Sequence, residues 1–178
     1  MPTEWNLCYP SWMIADGEPD REVGQIFDWF AIEFWTVKGH LVRTDKRRKS
    51  AIPVADYSYR VVAELAYLSD KACVIDFGLR AIRTPDLLSP ECKQGDFVMG
   101  EIGIGLPLCT EVVPEEALKT LAHKWRVNRI SADLTPHVVH PDNPRFSFRD
   151  ESRIQHQEVK STDTIRTHGY VLHCSEIA

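Results

Sequence analysis

Tyr57-Ser58-Tyr59-Arg60-Val61-Val62-Ala63-Glu64-Leu65-Ala66-Tyr67-Leu68, then Ser69-Asp70-Lys71, then Ala72-Cys73-Val74-Ile75-Asp76-Phe77-Gly78-Leu79-Arg80-Ala81-Ile82: this stretch decides the fold class. Two runs rich in aromatic and β-branched residues flank a short polar link, which is a hairpin signature. Side chains of a strand alternate between faces, so each run sorts into two sets. Tyr59, Val61, Ala63, Leu65 and Tyr67 make one apolar face, and Cys73, Ile75, Phe77, Leu79 and Ala81 make its counterpart. Matching the two requires a three-residue loop with Leu68 opposite Ala72. That register also sets Glu64 directly opposite Asp76, and Arg60 opposite Arg80. Like charges so placed cost a few tenths to about 1 kcal/mol. Turning Glu64 into the apolar face instead would bury an unpaired carboxylate, at a cost of several kcal/mol. The register with opposed acids is therefore expected, and the pair requires a reason.

The same motif recurs on either side. Glu33 in Ala31-Ile32-Glu33-Phe34-Trp35 and Glu101 in Met99-Gly100-Glu101-Ile102 each interrupt an apolar run, as Glu64 and Asp76 do. One explanation is a sheet face that meets solvent, where repulsion is screened. The other is a cavity, because Val62, Ala66, Leu68, Val74, Phe97 and Met99 share the acids' side, and Phe27, Trp29 and Trp35 share that of Glu33. Paired acids in a cavity have their titrations pushed apart, which suits acid/base work or a hard divalent metal. Trp29, Glu33, Glu64, Asp76 and Glu101 are accordingly the candidate ligand-binding residues.

Working outward, Trp5–Ala15 is expected to be extended, with an interruption at Pro10, and Asp16-Gly17-Glu18-Pro19-Asp20 supplies turn chemistry. Gln25–Val37, Phe97–Leu106, Trp125–Val139, Arg145–Lys160 and Thr164–Ile177 also read as strands. A helix is expected at about 114–125. Pro114 suits the first turn, Glu115 and Glu116 suit the positive end of the dipole, and Ala117, Leu118, Leu121, Ala122 and Trp125 form a stripe. The fold class is mainly β: a small antiparallel barrel or sandwich with one short helix, preferably an oligonucleotide/oligosaccharide-binding-like or other closed barrel. No linker or repeat divides the chain, so 1–178 reads as a single domain.

With 178 residues, 43% of them hydrophobic, and a formal net charge of -5, the chain can build one core but offers phosphates little attraction, which disfavours nucleic acid. The first residues lack a secretory pattern and no apolar run is long enough to span a bilayer. The cysteines (Cys8, Cys73, Cys92, Cys109, Cys174) are odd in number and show no paired spacing, fitting reduced thiols in a cytoplasmic protein. The run Arg43, Lys46, Arg47, Arg48, Lys49 reads as a solvated loop. Gly100, Gly103 and Gly105 lie in a strand, where glycine marks a bend or close backbone approach.

His137, His140, His156, His168 and His173 crowd the last third. With Ser161-Thr162-Asp163 as a loop, Glu158 would oppose Arg166 and His156 would oppose His168, so these two histidines are the candidate metal ligands. Neither a nucleophile elbow nor a cysteine-protease context is present. The expected function is a non-enzymatic binding or protein-interaction module taking a protein partner or small ligand. The alternative is an enzyme using an acidic cavity at Glu64 and Asp76 or a His-bound metal in the C-terminal hairpin.

Overall fold

The structure, a computed structural model, describes residues 3–106, 121–150, 152–165 and 167–177. It is mainly β. Five strands close into a barrel: β3 (Ile32–Thr36), β6 (Ser58–Leu68), β7 (Cys73–Asp76), β8 (Arg80–Arg83) and β9 (Phe97–Gly105). The meander β6–β7–β8 is antiparallel, β9 pairs antiparallel with β6 and β3, and the circle closes where β3 runs parallel to β8. Eleven residues long, β6 pairs with β9 through its first half and with β7 through its second. Round the ring the neighbour order is β6, β7, β8, β3 and β9, with one parallel seam between β8 and β3.

The alternation of the central hairpin is realised. Tyr59, Val61, Ala63, Leu65, Cys73, Ile75, Phe77, Leu79 and Ala81 are all buried inside. Two details differ. Ala72–Ile82 is not one strand but two, folded at Phe77-Gly78-Leu79, where Gly78 takes φ 102°. Asp76 therefore pairs with Arg80, and Arg60 faces Glu101 and Ile52 instead of Arg80. A bulge at Ala66 also shifts the register, so Leu68 meets Cys73 although Glu64 still meets Asp76, and Tyr67, expected on the core face, turns to the other side while Leu68 packs on the core.

A second sheet continues from the barrel. In it β14 (Gly169–Glu176) lies between β1 (Trp5–Pro10) and β10 (His123–Asp133), while β2 (Ile26–Trp29) and β13 (His156–Val159) pair with the two ends of the other edge of β10. The link to the barrel is the parallel bridge of Cys8 with Gly105. One hydrophobic cluster runs through both parts, with Trp5 against Tyr59 and Phe77 at ring separations of 5.4 and 5.7 Å. Of the remaining strands, β4 (Val42–Arg43) borders β9, β5 (Ser50–Ala55) borders β6, and β11 (His137–His140) with β12 (Asn143–Arg149) forms a separate ribbon.

Several expected segments are cut shorter. Gln25–Val37 breaks at Phe30–Ala31 because β2 and β3 join different neighbours. After Pro10 the chain makes a short helical turn, Ser11–Ala15, instead of staying extended. Positions 114–120 of the expected helix lie outside the described residues. Its last part is not helical: the chain is extended from His123, and Trp125 is buried between β2 and β14. No helix among the described residues is long and apolar enough to cross a membrane.

Candidate functional site

Lys49 resolves the opposed acids. Its Nζ lies 2.9 Å from Glu64 and 3.0 Å from Asp76, and Arg80 Nε adds a contact of 3.3 Å to Asp76. Burial alone would raise the Asp76 carboxyl, but the Gly78 N–H, Lys49 and Arg80 hold it below the usual range. The acids point away from the barrel interior, and the cation between them is the reason for the pair.

Glu33 is 1% exposed and forms an ion pair with Arg83, tying β3 to β8 across the parallel seam. Trp29 is buried, and its indole N–H donates to the Leu106 carbonyl at 3.0 Å. Glu33 serves the frame, whereas Trp29 also borders a separate shallow hollow with Asp28, Phe30, His123 and Lys124. Glu101, which faces Arg60 at 4.0 Å, instead lines a recess of about 600 Å³ with Trp35, Val37, Lys38, Asp56, Tyr57 and Arg149.

The proposed pairing of His156 with His168 does not form, because β10 lies between β13 and β14 and takes both as neighbours. Arg166, the expected partner of Glu158, lies outside the described residues. The histidines nevertheless reach one region. His168 stacks on His137, ring centres 3.8 Å apart, and His156 Nε2 lies 3.3 Å from Arg149 and 3.5 Å from Asp56. A second recess of about 250 Å³ opens here, bordered by Cys8, Tyr57, Asp133, His137, Arg149, His168 and Tyr170.

Arg149 and Tyr57 line both recesses. At the base of the β11–β12 ribbon, directly opposite His137, Arg149 reaches back into the fold. Its Nη2 meets Asp56 at 2.7 Å and its Nε meets Asp133 at 2.8 Å. Asp56 stands in the turn between β5 and β6 with φ 31°, a conformation that Asp tolerates better than most residues. Asp133 ends β10 and also accepts the Thr135 N–H at 3.0 Å. Burial would raise its carboxyl, but Thr135 and Arg149 bring it below the ordinary value. Cys8 goes the other way: burial, then the charge of Asp133, pushes its thiol up to about 12. Burial likewise raises the Tyr57 phenol. Near neutral pH the recess therefore presents a protonated thiol, a protonated phenol, imidazoles and a guanidinium between two carboxylates.

On the same sheet face, Ser131 Oγ lies 3.0 Å from His173 Nε2, and His173 Nδ1 lies 2.8 Å from Asn6 Oδ1 and 3.0 Å from an Arg129 nitrogen. A hydroxyl, imidazole and amide in that order resemble a nucleophile with its base. Ser131 sits in mid-strand with β13 and β14 on either side, and it borders neither recess. The row works as a polar cross-strand tie.

Asp56, Asp133 and Arg149 escape sequence reasoning because they lie far apart in the chain and each resembles an ordinary surface charge. The crowding of histidines after residue 136 is the one sequence signal that leads to this region. Among the described residues, no group of three or more His, Cys, Asp and Glu is placed to hold a metal ion. No protein family, curated protein or solved structure matches the chain.

Proposed function

We propose that residues 1–178 form one non-enzymatic binding module that takes a small ligand in the double recess shared by Arg149 and Tyr57. The observation that carries this reading is the recess itself: concave, aromatic along one side, with convergent polar groups, as ligand sites are built. Three of its polar groups suit binding better than proton transfer. Cys8 and Tyr57 are held protonated, and Asp133 is held ionised by Arg149 and Thr135, so none of the three is poised to give or take a proton near neutral pH. The alternative, an acidic catalytic cavity, would need Glu64 and Asp76 to face a ligand, whereas Lys49 is clamped between them. A nucleic-acid role gains little from the basic run, since Arg43 faces Asp96 at 3.5 Å and Lys49 is engaged. The free thiols of Cys8, Cys73, Cys92 and Cys174 support a reducing, cytoplasmic setting.

A fragment screen by two-dimensional NMR tests the reading. Binders are expected to shift the resonances of Cys8, Tyr57 and His168 together, and Tyr57→Ala should weaken them at least several-fold. Binders that leave these residues untouched, or a library with no binder, would sink it.

A further inference from the structure

Resting on that reading, we propose that the ligand is a small carboxylate on an aromatic or apolar body, bound by Arg149 in place of Asp56. Arg149 already acts as a carboxylate receptor, with two acids on one guanidinium. Planar forks of this kind favour carboxylates. Two negative charges against one positive mean that one acid can leave without stranding the guanidinium.

The two acids are not equivalent. Asp133 is anchored by the Thr135 N–H as well as by Arg149, so its removal would break a local turn. The Asp56 carboxylate meets Arg149 at 2.7 Å and His156 at 3.5 Å, and it stands on a turn whose backbone is already in an uncommon region. Asp56 is thus the internal stand-in and Asp133 the permanent counterion. Beside Asp56, the larger recess supplies the Trp35 and Tyr57 rings, 5.6 Å apart and inclined at 62°, with Val37 and Ala55. An aromatic ring can lie there while its carboxylate takes the Nη2 position. Lys38 adds a second cation, and Glu101 on the same wall is faced by Arg60, which offsets its charge.

Isothermal titration calorimetry with benzoate, its neutral counterpart benzamide, and inorganic phosphate tests the assignment on wild type, Asp56→Asn and Arg149→Met. Asn accepts the same turn conformation, so Asp56→Asn removes the competing charge while keeping the fold. The expected result is that benzoate binds wild type more tightly than benzamide or phosphate does. It should then gain roughly tenfold in Asp56→Asn, a change of about 1.4 kcal/mol, with benzamide unchanged, and lose its advantage in Arg149→Met. Benzamide binding as well as benzoate in both wild type and Asp56→Asn would overturn the carboxylate assignment but leave the small-ligand reading standing. Phosphate binding as tightly as benzoate would overturn it too. If no probe binds even Asp56→Asn, with its melting curve intact, both fall. Asp56→Asn carries the test should Arg149→Met fail to fold.

Discussion

Burial, then the Arg129 guanidinium, holds the His173 imidazole below its ordinary range. Glu4 and Glu158 pull the other way, and His156 adds to the depression. The unfolded chain takes up this proton near pH 6.5 and the folded chain resists it, so the stabilisation is complete above that pH. It drains away as the pH falls through the lower folded value. The melting temperature should therefore drop between pH 7.5 and 5, and His173→Gln should flatten that part of the curve; an unchanged slope in the variant would contradict it. Asp76 and Asp133, both depressed, add a second loss further down, below the ordinary carboxylate value near 4. Lys49 offers a test of the charge bridge. Lys49→Met leaves Glu64 and Asp76 opposed with only Arg80 remaining on Asp76, and urea unfolding should show a loss of about 1 kcal/mol, kept small by the partial exposure of the pair. Adding Glu64→Gln should recover most of it.

At the level of strands, glycines decide where the sheet can bend and where rings can lie. A β-carbon at Gly103 would overlap the Trp35 indole. Gly103→Ala should cost about 1–3 kcal/mol by thermal or urea unfolding, and Trp35→Val in the same chain should return part of that. Gly78→Ala, at φ 102° in the β7–β8 turn, should cost about 1 kcal/mol. These positions also mark the reach of sequence reading. Alternation placed Tyr59 to Leu65 and Cys73 to Ala81 inside correctly, because period two is a local property. It could not detect the fold at Phe77-Gly78-Leu79, since Phe77 and Leu79 both continue the buried series through the turn. Nor could it detect the bulge at Ala66, whose extra residue exchanges the two faces beyond it, so that Leu68 and not Tyr67 packs on the core. The histidine pair failed for another reason: nothing local announces that β10 will lie between β13 and β14.

Across the whole molecule, barrel and second sheet share few backbone bonds and a large apolar seam. Trp5 is its peg, 4% exposed and set between Tyr59 and Phe77. Trp5→Ala should lower stability by about 3–5 kcal/mol, read by guanidinium unfolding followed by far-ultraviolet circular dichroism. A loss under 1 kcal/mol would mean that the two parts do not depend on each other. The recess likewise depends on distant parts of the chain, since its walls come from β1, the β5–β6 turn, β10, β12 and the approach to β14. Beyond the crowding of histidines after residue 136, composition and spacing carry no trace of such an assembly, which exists only once distant charges such as Asp56, Asp133 and Arg149 meet. The parallel seam between β3 and β8 also has a kinetic consequence. Hairpins can zip up β6, β7 and β8 from their own turns, but no turn can bring β3 alongside β8, because residues 37–79 intervene. The ring must shut by a long-range encounter after its local pieces exist, so refolding belongs on the millisecond-to-second scale of non-local β topologies. In the interval, the edge of β8 that β3 will cover stands open to any other extended chain.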